Sequence, residues 1–223
     1  MTPKLLLGNL NYSSWSLRAL LVLQMSSAAF EHEVLPLGVD GTKARIIRET
    51  GQHRVPVLIL DDAIVHDSMA ITEWAAEQGA EGLVWPADAT ARAIARSLCA
   101  EMHGGFIELR THMGVDIRSR KPAPDMTPVL QGEIERVFEI LSKTLDRFAG
   151  AGTFLFGKWS AADAFYMPVI TRFRTYGVAL PERLKVYAKA VLEHPDVVAI
   201  EAAAKLEPWV IDTTKFAPGM VVE

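Results

Sequence analysis

The stretch NYSSWSLRAL, residues 11–20, sets three serines around a tryptophan. A short apolar run, KLLLG at 4–8, precedes it, and a longer one follows. Leu17, Leu21 and Met25 recur one helical turn apart, and Leu20 and Val22 widen the apolar stripe. The stretch therefore reads as a buried strand giving way to a helix from Ser14 to about Ser27. Its hydroxyls stand at the helix start, where serine has two uses. It caps free N–H groups, and beside the helix dipole it helps to hold an anion. No histidine or acid within the motif can deprotonate a serine, so a nucleophilic triad is unsupported. A hydroxyl can instead donate to an anion that a ligand supplies, and a thiolate is the natural one. One hydrogen bond to a charged group is worth roughly 1.5–3 kcal/mol, which would lower a thiol pKa by about one to two units.

Outward from that stretch, HEVLPL (32–37) reads as a second strand, completing a βαβ unit. TKARIIRET follows as a short helix capped by Thr42 and stopped by Gly51. VPVLIL and AIVHD read as two strands joined at Asp61–Asp62, and SMAITEWAAEQ as a helix ending at Gly79. The order is βαβαββα, a small α/β unit with no room for a dinucleotide fold. GAEGLVWPAD (79–88) then has linker composition. Beyond it no convincing strand is found. A long helical pattern runs from Ala87 to Met113, interrupted at Gly104–Gly105, and a second from Thr127 to Gly150. Shorter helices are expected at about 161–176, 181–193 and 196–205. The boundaries implied are residues 1–79 for the α/β domain, 80–87 for the linker, and 88–223 for an all-α bundle of about five helices.

Composition limits the partners. The chain has 223 residues, 22% of them charged, and a formal net charge of -4. That charge offers no electrostatic footprint for nucleic acid or an anionic membrane. The single cysteine, Cys99, rules out a disulfide within the chain and points to a reducing, cytoplasmic compartment. LRALLVLQMSSAAF mimics a secretory signal, but it lies behind polar Asn9, Asn11 and the serines and reads better as a core helix. No apolar run approaches the roughly 20 residues needed to cross a bilayer. No metal is expected.

Three further motifs bear on chemistry. In HRVPVL (53–58), Pro56 stands at the mouth of an apolar strand, where a cis Val55–Pro56 bond would turn the Val55 backbone outward toward an extended peptide. In HDSMAI (66–71), Asp67 and Ser68 begin a helix; they serve equally as caps or as a site for an α-amino-acid end, the carboxylate on the helix start and the ammonium on Asp67. GKWSAADAF (157–165) is a capping signature, with Ser160 at the cap, Asp163 three residues on, and Trp159 as a staple toward Ala164. It is assigned a folding role.

Taken together and in this order, the four motifs resemble those of cytosolic glutathione S-transferases over nearly the whole chain. SSWSLR is similar to the zeta-class pattern SSC-x-W-R and to the serine-type tau and phi classes. The resemblance implies a thioredoxin-like domain followed by helices, glutathione as co-substrate, a detoxifying transferase activity and a homodimer. It places the sulfur-activating residue five before Arg18, at Ser13, with Ser14 as runner-up and Tyr12 third. It implies that Val55 pairs with the cysteinyl backbone, that Pro56 is cis, that Asp67 and Ser68 hold the γ-glutamyl end, and that His53 or Arg54 lies near the glycyl carboxylate. Trp15 stands where the zeta pattern has cysteine, so cysteine chemistry is not implied, and Cys99 reads as core. The small electrophile is expected between Trp15 and the first long C-terminal helix, with His103, Phe106 and Arg110 at helical spacing. Net conjugation is the first expectation. A glutathione-dependent isomerase or dehalogenase, and a non-catalytic binding protein on the same fold, are the alternatives.

Overall fold

The computed structural model describes residues 2–211. Strand β1 (Lys4–Gly8) lies at the heart of a four-stranded sheet ordered β2-β1-β3-β4. It pairs in parallel with β2 (Glu31–Leu35), Leu6 opposite Glu33, and antiparallel with β3 (Val57–Ile59), Leu5 opposite Leu58. β4 (Ile64–His66) closes the far edge antiparallel to β3. Helix α1 (Ser14–Met25) supplies the right-handed crossover type of connection that a parallel β1–β2 pair requires.

Alternation along β1 divides the packing. Leu5 and Leu7 enter the main core with α1 and with α3 (Ser68–Glu77), whereas Leu6 joins Leu35 and Ile46 beneath α2 (Thr42–Thr50). The arrangement is thioredoxin-like, as expected. α2 begins differently, however. Its cap is Gly41 at φ 88, with no side-chain hydrogen bond, and the Thr42 hydroxyl donates instead to the Pro36 carbonyl. A left-handed backbone at the cap is open to glycine, and it frees the threonine for the preceding loop.

Beyond α3 the regular elements of the described residues are helices, apart from two isolated bridges at 154–158. α4 (Ala89–Gly104) and α5 (Ile107–His112) replace the single long helix expected, so six helices stand where about five were read. The cause is local. The chain turns so tightly that a Cβ on Gly105 would lie 2.8 Å from the Glu101 carbonyl oxygen, and Phe106 follows at φ 59. α6 (Pro128–Phe148), α7 (Ala161–Thr175), α8 (Glu182–Leu192) and α9 (Pro195–Leu206) complete the bundle. α7 is buried almost throughout and packs against α1 and α4, which makes one continuous core. Cys99 is free and fully buried in it. No helix among the described residues is long and apolar enough to cross a membrane.

The capping signature at α7 is present. Asp163 is fully buried and accepts from the Leu155 N–H at 3.0 Å, the Ser160 N–H at 3.0 Å and the Ser160 hydroxyl at 2.8 Å. Trp159 stacks on His194, with centroids 4.1 Å apart. Burial pushes the Asp163 carboxyl up to about 6 despite its three donors. Its stabilisation is therefore full below the unfolded value near 4 and is lost as pH rises through about 6. Asp163→Ala leaves two buried N–H groups without an acceptor and is expected to cost about 2–5 kcal/mol. Urea midpoints should show a larger deficit at pH 5 than at pH 7.

Candidate functional site

A cavity of 390 Å³ is lined by Trp15, Gln52, His53, Arg54, Val55, Pro56, His66, Asp67, Ser68 and His103. Three elements of the first domain and one of the second meet there. The start of α1 brings Trp15, the approach to β3 brings residues 52–56, and the end of β4 with the start of α3 brings His66, Asp67 and Ser68. The last turn of α4 brings His103.

The Val55–Pro56 peptide is cis. Asp67 stands at φ 77, ψ 133, a backbone region that residues with a Cβ seldom occupy. It caps α3 by accepting from the Met69 N–H at 2.7 Å. Its second oxygen lies 3.2 Å from His103 Nε2, a contact between the two domains. Burial works to raise the Asp67 carboxyl, but the hydrogen bonds from His103 and Met69 outweigh it and hold the group below its ordinary value. Ser68 is fully buried, and its Oγ has no hydrogen-bond partner. A buried hydroxyl without a partner costs free energy unless something else fills the place. Here that place is a helix start beside an ionised carboxylate.

Eight of the twelve residues singled out from the sequence line this one cavity: Trp15, His53, Arg54, Val55, Pro56, Asp67, Ser68 and His103. Ser13, Ser14, Phe106 and Arg110 do not line it. Ser13 is itself the cap of α1, accepting from the Ser16 N–H at 3.3 Å and donating to the Ser16 hydroxyl at 2.9 Å. Ser16 Oγ in turn accepts from the Gly8 N–H at 2.9 Å. Ser14 is buried and accepts from Arg172 Nη2 at 3.5 Å. The Tyr12 hydroxyl accepts from Arg118 at 3.1 Å. The helical spacing expected for His103, Phe106 and Arg110 fails, because the break at Gly105 places them on two helices. Phe106 turns into the core, and Arg110 returns from α5 to within 4.8 Å of the Trp15 ring centre.

Gln52 and His66 were missed. Each adjoins a residue singled out from its motif, Gln52 beside His53 and His66 beside Asp67. In β4 the pleat puts His66 two residues from Ile64 on the same face, a signal too short to read alone. Among the described residues no cluster of histidine, cysteine or carboxylate side chains fits a metal ion.

Comparison with known proteins bears on the fold. Residues 12–78 match the family model described as glutathione S-transferase, N-terminal domain. Among solved structures, a glutathione transferase homolog from Burkholderia gl BGR1 with bound glutathione is similar at 22% identity and a TM-score of 0.68, covering 91% of this chain and 97% of that one. An unclassified glutathione S-transferase from Bombyx mori aligns at 16% identity with a TM-score of 0.71, over 92% and 94% of the two chains. A tau-class enzyme from mango aligns at 20% and 0.63, over 92% and 98%. These likenesses concern the fold. No curated protein matches the sequence.

The Asp67 backbone and its cap separate by mutation. Asp67→Ala loses the cap and keeps the unfavourable backbone, while Asp67→Gly loses the cap but relieves the backbone. Asp67→Gly is expected to be the more stable of the two by about 1–2 kcal/mol in urea unfolding.

Proposed function

We propose, on the premise that the chain belongs to the glutathione S-transferase family through its first domain, that it binds glutathione in the 390 Å³ cavity and joins the thiolate to a small, partly apolar electrophile. The observation that carries this reading is the orphaned Ser68 hydroxyl, buried at the start of α3 beside Asp67. A γ-glutamyl group supplies the missing partner for Ser68 and a counter-ion for Asp67. Its carboxylate accepts from Ser68 and the first N–H groups of α3, and its ammonium meets the Asp67 carboxylate. The Val55 backbone beside Pro56 pairs with the cysteinyl residue, and the polar wall of Gln52, His53 and Arg54 faces the glycyl carboxylate.

Ser13 activates the sulfur. In the structure its hydroxyl is turned to Ser16. With a thiolate present, Ser16 donates to Ser13 Oγ while still held by Gly8, and the Ser13 proton turns to the sulfur. The thiolate then forms a C–S bond with the electrophilic carbon, and the leaving group departs with its electron pair. Juxtaposition of the two reactants supplies much of the rate. The chain acts as a dimer of identical chains in the cytoplasm, with the junction between its two domains at 80–87.

A second reading, glutathione binding without turnover, is favoured by one observation. Ser13 and Ser14 are 6% and 5% exposed, and neither lines the cavity. Calorimetry with glutathione and turnover of 1-chloro-2,4-dinitrobenzene separate the two. The transferase reading expects binding and turnover, with Ser68→Ala weakening glutathione about tenfold or more, the worth of one lost hydrogen bond to a charged group. Ser13→Ala is expected to lower kcat by about ten- to a hundredfold with little change in glutathione affinity, the same bond now acting only on the reactive anion. Unchanged kcat in Ser13→Ala, with a fall in Ser14→Ala, would transfer the role to Ser14. Binding without turnover by the unmutated protein would leave the second reading.

A further inference from the structure

Two guanidinium groups lie against Trp15, and a third, Arg172, stands close by at Ser14. Arg18 is fully buried, its Cζ 4.8 Å from the Trp15 ring centre and 5.1 Å from that of Phe165. None of its three nitrogens has a hydrogen-bond partner. Arg110 lies over the same Trp15 ring at 4.8 Å. Its Nη2 donates to the Met102 and His103 carbonyls, and its Nε is buried without a partner. Arg172 is 4% exposed, donates from Nε to the Met113 carbonyl at 2.7 Å, and leaves Nη1 unpartnered.

Carboxylates are scarce around these charges. Among the described residues none of the three arginines forms a salt bridge. Glu133 acts on Arg110, but its Oε2 already accepts from the Leu109 N–H at 2.8 Å. No carboxylate acts on Arg18 or Arg172. Burial pushes all three groups down, and repulsion adds to it, from Arg110 and Arg172 on Arg18 and from Arg110 on Arg172. Arg172 falls to about 9, which leaves it charged at neutral pH. An uncompensated buried cation costs several kcal/mol, and a guanidinium rarely escapes by losing its proton. The cluster is therefore complementary to an anion that the chain does not supply. It adjoins the cavity through Trp15, whose ring lies against Arg18 and Arg110, and through His103, whose carbonyl Arg110 holds and whose ring meets Trp15 at 5.0 Å.

We propose that the second substrate is an aromatic electrophile bearing a carboxylate, its ring beside Trp15 and its anion drawn to Arg110, with Arg18 and Arg172 supplying the field behind it. The word substrate rests on the glutathione-transferase reading; the anion site does not. Arg110 makes the contact because it is the least buried of the three, and with Nη2 held by the two carbonyls and Nε buried, its Nη1 is the donor left to meet a carboxylate.

The test is calorimetric and needs no turnover. 3,5-Dinitrobenzoate and neutral 3,5-dinitrobenzamide share ring and nitro groups and differ in charge. The protein is expected to bind the acid at least about tenfold more tightly, the worth of one charge-assisted hydrogen bond. Arg110→Lys should keep most of that preference and Arg110→Gln should abolish it, with thermal melts confirming that both variants are folded. Equal binding of acid and amide by the unmutated protein would overturn the proposal, and so would an acid preference that survives Arg110→Gln. A separate glutathione titration distinguishes the two readings. Acid preference without glutathione binding keeps the anion site and removes the transferase. Glutathione binding without acid preference keeps the transferase and leaves the arginines to serve the thiolate.

Discussion

The first turn of α1 is buried between the sheet and α7, and much of the molecule is arranged around that constraint. A helix start carries four N–H groups without helical partners. On a surface, water takes them. Here Ser13, Ser14, Ser16 and Arg18 are all buried, so acceptors must come from the chain itself. Asn9 offers its carbonyl to the N–H groups of Tyr12 and Ser13, Ser13 offers its hydroxyl to Ser16, and Ser16 offers its own to Gly8 at the end of β1. The three serines are thus not repeated versions of one cap. They form a short relay from the strand to the helix, with Ser14 facing the second domain through Arg172.

The same turn joins the two domains. The Asn11 side chain donates to Asp116 at 2.9 Å and accepts from the Arg118 N–H at 3.0 Å. Arg118 then reaches the Tyr12 hydroxyl and the carbonyls of Glu207 and Trp209, while the Glu207 carboxylate takes the N–H groups of Leu10 and Asn11. Polar residues in an otherwise apolar neighbourhood cost little when every donor finds an acceptor, and such a network admits few alternative packings. Asn11, which in the sequence only helped to separate one apolar run from the next, is among the residues that hold the second domain on the first.

Features with a short period or a short range were legible in the sequence. β1 and α1 announced themselves by apolar spacing, and the box at Ser160–Asp163 by its cap and its acid. The cavity's first-domain wall was legible too, because VP and DS carry their geometry within two residues. What escaped depended on partners far along the chain. Thr42 looked like a cap, yet the loop at Pro36 claimed its hydroxyl. The stacking of Trp159 on His194 had no sign in the local motif. The pattern from 87 to 113 showed an interruption at Gly104–Gly105, but that it ends one helix and turns the chain into another rests on backbone crowding at Gly105. Arg18 served as a register mark, and nothing local to it foretold that it would be fully buried with no carboxylate beside it.

That break gives the cavity its polarity. A helix continued past Gly104 would carry Arg110 onward along its own axis. Instead α4 stops one residue after His103, and α5 folds back so that Arg110 holds the carbonyls of Met102 and His103 and lies over Trp15. His103 is left facing Asp67 at 3.2 Å. The second domain thus meets the cavity through His103, against the ionised Asp67 at the start of α3, and reaches the far side of Trp15 through Arg110. The buried guanidiniums behind Trp15 act more strongly than charges in solvent, and packing keeps them from reorienting to cancel one another. A ligand with its cation toward Asp67 and its anion toward Trp15 is favoured over the reverse, and the residues that fix that direction are the glycines that end α4.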